Sequence, residues 1–156
     1  MVRYFAYGSN MSDAQIRARC PSQRFIGIAQ LSGYKLAFTR YSPKRMCGVA
    51  DIIPAPEASV WGALFEMSEE DLAALDLHEG AHLIPPAYMR VEVRVRAADG
   101  IELEAITYAV VDKSPVEHVP SAEYLGLILD GAGRWGLPDA YQEVLRAIQA
   151  GPQFVP

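Results

Sequence analysis

Residues 78–82 read His78-Glu79-Gly80-Ala81-His82. This is the H-E-x-x-H spacing that, in zinc peptidases, sets two imidazoles on one helical face with a glutamate between them as general base. That chemistry needs a helix running through both histidines. Here Gly80 falls between them and Pro85-Pro86 follow, and glycine ends helices more readily than it continues them. The extended zinc pattern fails as well, with Pro85 where a glycine should stand and Tyr88 where a third histidine should stand. The one other histidine, His118, lies in a proline-rich stretch. Zinc is a remote reading, and His78 and His82 are expected to be polar residues around a helix end.

Glu79 carries interest without zinc. Leu72, Leu75 and Glu79 share one face of a helix at i, i+3 and i+7. If the leucines face the core, the carboxylate is aimed inward at a helix C-terminus, where burial and the macrodipole both raise its pKa. A glutamate tuned in that way is a candidate general base. The spacing leaves a second reading open, a glutamate rotated into solvent at a frayed helix end. A further candidate is Tyr7-Gly8-Ser9-Asn10, a turn between a strand and a helix N-terminus. Its N–H groups, with the helix dipole behind them, suit a carboxylate or another anion, and Gly8 permits close approach. Such turns also often hold only water, and the turn alone does not decide.

The elements that must position these groups are legible in outline. "VRYFAY" is a first strand. Ser12 with Gln15 reads as a capping box that opens a helix, and Pro21 closes it. "RFIGIAQL", "YKLAFTRY", "GVADII" and "SVWGALFEM" read as four strands broken by Ser-Gly, Ser-Pro and Pro-containing turns. Ser68 with Asp71 opens the helix that runs to Gly80. "YMRVEVRVRA" alternates, with Met89, Val91, Val93 and Val95 on one face and Arg90, Glu92, Arg94 and Arg96 on the other, as a half-buried strand does. "IELEAITYAVV" pairs with it across "ADG". One C-terminal helix begins at Ser121. Another carries Tyr141, Val144, Leu145 and Ile148 on one face and stops at Gly151-Pro152. Meandering strands with interspersed helices predict a mixed α/β or α+β domain rather than a doubly wound parallel one.

The 156 residues are 51% hydrophobic and 21% charged, enough for one domain over residues 1–156 with a substantial core. The formal net charge is −5 and no basic block occurs, so no nucleic-acid partner is expected. No apolar run approaches the ~20 residues of a membrane span. Residues 1–10 lack a signal-peptide core. Cys20 and Cys47 fit no C-x-x-C pattern, and free thiols in the cytoplasm are the expectation.

Taken together, "YFAYGSNM", "VWGALFEMSEEDLAALDLHEG" and "PSAEYLGLILDGAGRWGLPDAYQEVLRAI" resemble the gamma-glutamylcyclotransferase family, from Tyr4 to about Ile148. The resemblance implies an α+β fold, a small mixed β-barrel with surrounding helices, and no cofactor. It places Glu79 on the family's catalytic glutamate, Tyr7, Gly8, Ser9 and Asn10 on its substrate loop, and Tyr88 and Tyr124 on tyrosines lining the pocket. Core aromatics with satisfied hydroxyls are the alternative for that last pair. Gly48 also falls on a family position, without an assigned role. The implied reaction is intramolecular: the α-amine of a gamma-glutamyl compound attacks its own γ-carbonyl, releasing 5-oxoproline and an amine or amino acid. The expected partner is a small-molecule gamma-glutamyl substrate, with homodimerisation left open. Rival readings are a cyclotransferase for gamma-glutamyl amines or a biosynthetic intermediate, and a non-catalytic ligand-binding relative.

Overall fold

A computed structural model describes residues 1–151. Five strands close into a barrel in the order β1-β3-β2-β4-β5. They are β1 (Val2–Ala6), β2 (Arg24–Ser42), β3 (Cys47–Met67), β4 (Tyr88–Ala97) and β5 (Glu102–Val110). Neighbours pair antiparallel except β1 and β5, which meet in parallel at Tyr4 and Ile106. Four helices surround the barrel: α1 (Asp13–Arg19), α2 (Glu69–His78), α3 (Ala122–Trp135) and α4 (Asp139–Arg146). This is the mixed α+β barrel that the resemblance implies. No helix among the described residues is long and apolar enough to cross a membrane.

The helix starts follow local chemistry. Ser12, Ser68 and Ser121 each accept a hydrogen bond from the backbone N–H three residues on, at 3.4, 3.1 and 3.0 Å, satisfying a donor that the first helical turn leaves orphaned. The α2 helix ends on Gly80 in the left-handed region (φ 70°). Gly80 N–H donates to Leu77 O and Ala81 N–H to Asp76 O, the paired bonds of a Schellman stop.

Four expectations need correction. The four short strands of residues 24–67 are two long ones. A register shift between Ser32 and Tyr34 lets β2 run on, and residues 55–58 bulge out between the Ser32–Ser59 and Tyr34–Pro54 pairs, so neither Ser32-Gly33 nor Pro54 and Pro56 end a strand, whereas the expected Ser42-Pro43 turn does. A bulge absorbs extra residues without closing the ladder. In β4, Val93 and Val95 are buried as the alternation requires, but Met89 is 45% exposed at the start of the strand, beside the 79–87 loop. The α4 helix stops at Arg146, and Val144 is 60% exposed. Its inward stripe is buried Leu145 with half-buried Tyr141 and, just past the helix end, Ile148, at i, i+4 and i+7, so Val144 falls outside it. Gly151 bridges to Ser121 as a short parallel pair, while Pro152 of the expected stop lies outside the described residues. The strand–helix turn is also more elaborate than expected. A short 3-10 helix, Ser9–Met11, intervenes, and α1 begins only at Asp13. The α1 dipole is therefore not aimed through the 7–10 turn, and its first residue, Asp13, pairs instead with Arg17 and Arg134.

The α3 helix holds this turn in place. Trp135 stacks on Phe25 with ring centroids 4.2 Å apart, meets Phe65 edge-on, and donates its indole N–H to Met11 O at 2.8 Å. Aromatic pairs of this kind contribute about 0.5–1.5 kcal/mol beyond the area they bury. Gly131 lets the helix approach, since a Cβ there would lie 2.5 Å from Met11 O.

Candidate active site

Glu79 caps the C-terminus of α2, one position before the left-handed glycine. Leu72 and Leu75 on the same face are buried, and the Glu79 side chain turns into a cleft of about 670 Å³ between α2, the 42–45 turn and the start of α3. At its floor the cleft narrows to a polar recess of about 30 Å³, room for little more than a water or one small polar group. Tyr7, Gly8, Ser9, Asn10, Glu79, Tyr88 and Tyr124 all line the recess. Residues far apart in sequence are thus gathered on one small volume, and none of the seven lies elsewhere.

Asn10 contacts Glu79 directly. Its Nδ2 donates to Glu79 Oε1 and to the Tyr4 hydroxyl, each at 2.9 Å. Its Oδ1 accepts from Gln15 Nε2 at 2.9 Å and Arg19 Nη1 at 3.0 Å. Gln15 also donates to Ser9 Oγ at 2.8 Å and accepts from Arg45 Nη2 at 2.9 Å. The expected capping box is therefore only half formed: Gln15 uses its N–H on Ser12 but sends its side chain to the turn.

The tyrosines are fixed by their hydroxyls. Tyr88 donates to Ala50 O at 2.7 Å and Tyr124 accepts from Ala50 N–H at 2.9 Å, so both grip one residue of β3. Tyr7 donates to Tyr108 O at 2.6 Å. Tyr108 donates to Asp76 Oδ1 at 2.5 Å, and Arg90 clamps the same carboxylate with two bonds of 2.8 Å. Tyr88 and Tyr124 thus line the recess while their hydroxyls already have partners. Gly8 leaves the recess open, as a Cβ there would stand 3.3 Å from Ala50 Cβ. Gly48 acquires a role here. Its N–H donates to Val119 O at 2.9 Å, and a Cβ would lie 2.2 Å from the His118 carbonyl oxygen. It lets the segment leading into α3, and so Tyr124, close over β3.

Burial raises the Glu79 carboxyl above the ordinary carboxylate range, against the pull of Arg19, the Asn10 hydrogen bond and Arg45, with Asp76 adding a smaller upward push. Burial also pushes the phenols of Tyr4, Tyr7, Tyr88 and Tyr108 well up, and that of Tyr124 to about 12. Glu79 is thus the one carboxyl group lining the recess, and its proton is held more tightly than an ordinary carboxyl holds one, as suits a proton carrier. His78 is lowered by burial and by Arg19 and Lys44, and it closes α2. His82 stands beyond the Schellman stop, so the two imidazoles do not share a helical face. Among the described residues no three His, Cys, Asp or Glu side chains gather as metal ligands. Cys20 and Cys47 are both buried and unpaired.

Sequence reasoning missed Gln15, Arg19 and Arg45 in the network, and Tyr4 and Tyr108 in the recess. Gln15 was visible only as a capping residue, and the rest reach the site through tertiary contacts with no local spacing signal. It also missed Arg40 and Lys44, which with Arg19 and Arg45 set four cations around the outer cleft against Glu79 and Glu123.

The chain matches the AIG2-like family over residues 59–145. It is 34% identical over 150 residues to the gamma-glutamylcyclotransferase of Mus musculus and 35% to that of Homo sapiens, in each case covering 94% of this chain and 78% of the relative. A solved structure described as gamma-glutamyl cyclotransferase superposes with a TM-score of 0.92 at 33% identity, over 99% of this chain and 92% of that one.

Proposed function

Because the chain belongs to the gamma-glutamylcyclotransferase (AIG2-like) family, we propose that it converts gamma-glutamyl compounds to 5-oxoproline, with Glu79 as the general acid–base. The observation that carries this reading is the Glu79 carboxylate in a small polar recess at the floor of the cleft, hydrogen-bonded to the 7–10 turn and raised in pKa by burial.

The chemistry needs little beyond conformation and proton management. The α-amine is tethered to the γ-carbonyl it attacks, so holding the chain folded converts the encounter into a ring closure. The attacking nitrogen begins as an ammonium and ends as a lactam N–H, losing two protons. The departing nitrogen begins as an amide N–H and ends as an ammonium, gaining two. The C–N bond to the leaving amine breaks as the ring C–N bond forms, and no water is consumed. One carboxylate whose affinity for a proton is raised by burial toward that of the amine can carry each proton across. The 7–10 turn, lined by Gly8, Ser9 and Asn10, is where the substrate α-carboxylate or the developing oxyanion would be held.

The outer cleft speaks to the leaving group. Four cations face two carboxylates there, in a chain whose net charge is −5. That local field favours a departing amino acid or peptide, which carries a carboxylate, over a bare or cationic amine. Turnover is expected to require no added metal. A panel of gamma-glutamyl amino acids, gamma-glutamyl alkylamines and glutathione, scored by 5-oxoproline, tests the reading. Carboxylate-bearing substrates should lead in kcat/KM. Release of glutamate in place of 5-oxoproline would make the protein a hydrolase and end the proposal.

A further inference from the structure

We propose that Gln15, held by Arg45, is a positioning residue that fixes the amide orientation of Asn10 and thereby keeps a hydrogen-bond donor, rather than an acceptor, against Glu79. The inference rests on Glu79 being the base. Its geometry is a path of three contacts, Arg45 to Gln15, Gln15 to Asn10 and Asn10 to Glu79. Arg45 has only donors to offer, so its 2.9 Å contact fixes which end of the Gln15 amide is oxygen. Gln15 must then present Nε2 to Ser9 Oγ and Asn10 Oδ1. With Oδ1 occupied by Gln15 and by Arg19, Asn10 must turn Nδ2 toward Tyr4 and Glu79. All the hydrogen-bonding capacity of the Asn10 amide is then used, two donors and two acceptor positions.

A flipped Asn10 would set its oxygen against the carboxylate. The lost donor and the new repulsion would both penalise the ionised base. Local sequence makes the arrangement possible: Ser12 takes the Gln15 backbone N–H at the start of α1, leaving the side chain free to reach back over the turn. It spends nothing on the capping box to which it conforms in sequence.

The groups facing Glu79 from other elements do not obscure the test. Arg19 on α1 and Arg45 on the β2–β3 turn remain cationic, and Asp76 on α2 is tied to Arg90 and Tyr108. The phenols of Tyr4 and Tyr7, of Tyr88 on β4, Tyr108 on β5 and Tyr124 on α3 are raised by burial, as is the Cys20 thiol, to about 11. All stay neutral below a pH of about 9.

The test compares the pH dependence of kcat/KM for wild type, Gln15→Glu and Gln15→Met, with melting curves to establish folding. Gln15→Glu is nearly isosteric and strengthens the contact with Arg45, so a residue that merely packs α1 should tolerate it. It cannot donate to Asn10 Oδ1 and sets a carboxylate against it, leaving Arg19 alone to hold that oxygen, and the inference expects the Asn10 amide to turn away and its donor contact with Glu79 to weaken. The acid limb should move up by about one pH unit or more, activity near neutrality should fall by about tenfold, and part should return at alkaline pH. A new carboxylate could raise the limb through space alone. The neutral Gln15→Met therefore decides: its limb should also move up, by less. A Gln15→Met limb superimposed on wild type, or a uniform loss at every pH in both variants, overturns the inference. Glu79→Gln is run alongside. If that variant is as active as wild type, the base reading has failed. If it is inactive while both Gln15 variants keep the wild-type limb, only the present inference has failed.

Discussion

Replacing Glu79 with glutamine separates proton transfer from every other function of the site. The substituted amide keeps an oxygen where Oε1 now accepts from Asn10 at 2.9 Å, so the 7–10 turn need not move. What disappears is the titrating oxygen. General acid–base catalysis is worth about 10²–10⁴-fold, so kcat should fall by that factor, about 2.7–5.4 kcal/mol of barrier at 1.36 kcal/mol per decade. Substrate binding should persist, because Tyr7, Gly8, Ser9, Tyr88 and Tyr124 are untouched. Stability should change in the opposite direction. Burial raises the folded-state carboxyl above its unfolded counterpart, so the folded protein keeps that proton to higher pH. The associated stability is complete below the unfolded value, about 4.3, and is lost as pH rises through the folded one. As pH rises through the folded value, the wild type takes on a buried charge that the variant lacks. The variant should melt higher at pH 7, and the gap should close on acidification toward pH 4. Single-turnover formation of 5-oxoproline and parallel melting curves from pH 4 to 8 measure both. A folded Glu79→Gln enzyme turning over at near wild-type rate would refute the reasoning, as would a Tm gap that widens toward acid.

Other expectations follow from the same geometry. Activity should survive extensive chelation and His82→Ala, because α2 ends before His82; stoichiometric zinc whose removal abolishes turnover would contradict this. Raising ionic strength should lower kcat/KM for carboxylate-bearing substrates, through screening of the cations that line the outer cleft, and leave gamma-glutamyl alkylamines nearly unaffected. Gly48→Ala would set a Cβ 2.2 Å from the His118 carbonyl, an overpacking cost of about 2–3 kcal/mol, which should lower the Tm by about 4–12 °C in a thermal melt. Gly126→Ala, in α3 with open space around it, should have the opposite sign, a gain of about 0.5–1 kcal/mol from helix propensity.

The parts of this fold that were legible in the sequence are those decided by neighbours in the chain. Ser12, Ser68 and Ser121 mark helix starts because a hydroxyl reaches its own backbone, and Gly80 marks a stop because one residue adopts the left-handed conformation. Strand length was not local in that sense. Whether residues 32–34 end a strand or bend it depends on the partner strand, which takes up the difference by looping out 55–58. Burial at strand and helix margins was equally non-local, as Met89 and Val144 show. Within the recess, the resemblance marked Glu79, the 7–10 turn, Tyr88 and Tyr124, and the fold brings them together. Asn10 and Glu79 are 69 positions apart and Gln15 and Arg45 are 30 apart, so no spacing rule could have linked them. Gln15 was instead assigned to the wrong task, since S-x-x-Q describes a capping box whether or not the glutamine takes part.

The stop that ends α2 also makes the loop beyond it a detachable part. Gly80 O accepts from both Leu83 and Ala87 at 3.3 and 3.0 Å, pinching residues 80–87 shut on a single carbonyl just past Glu79. The Glu79 N–H closes back onto Leu75, so the backbone bonds that hold Glu79 in place do not depend on residues 82–86. Leu83 and Ala87 nevertheless form part of the cleft wall. A designer could therefore transplant or resize residues 82–86 to reshape the outer cleft, while Glu79 and the recess it lines stay in register.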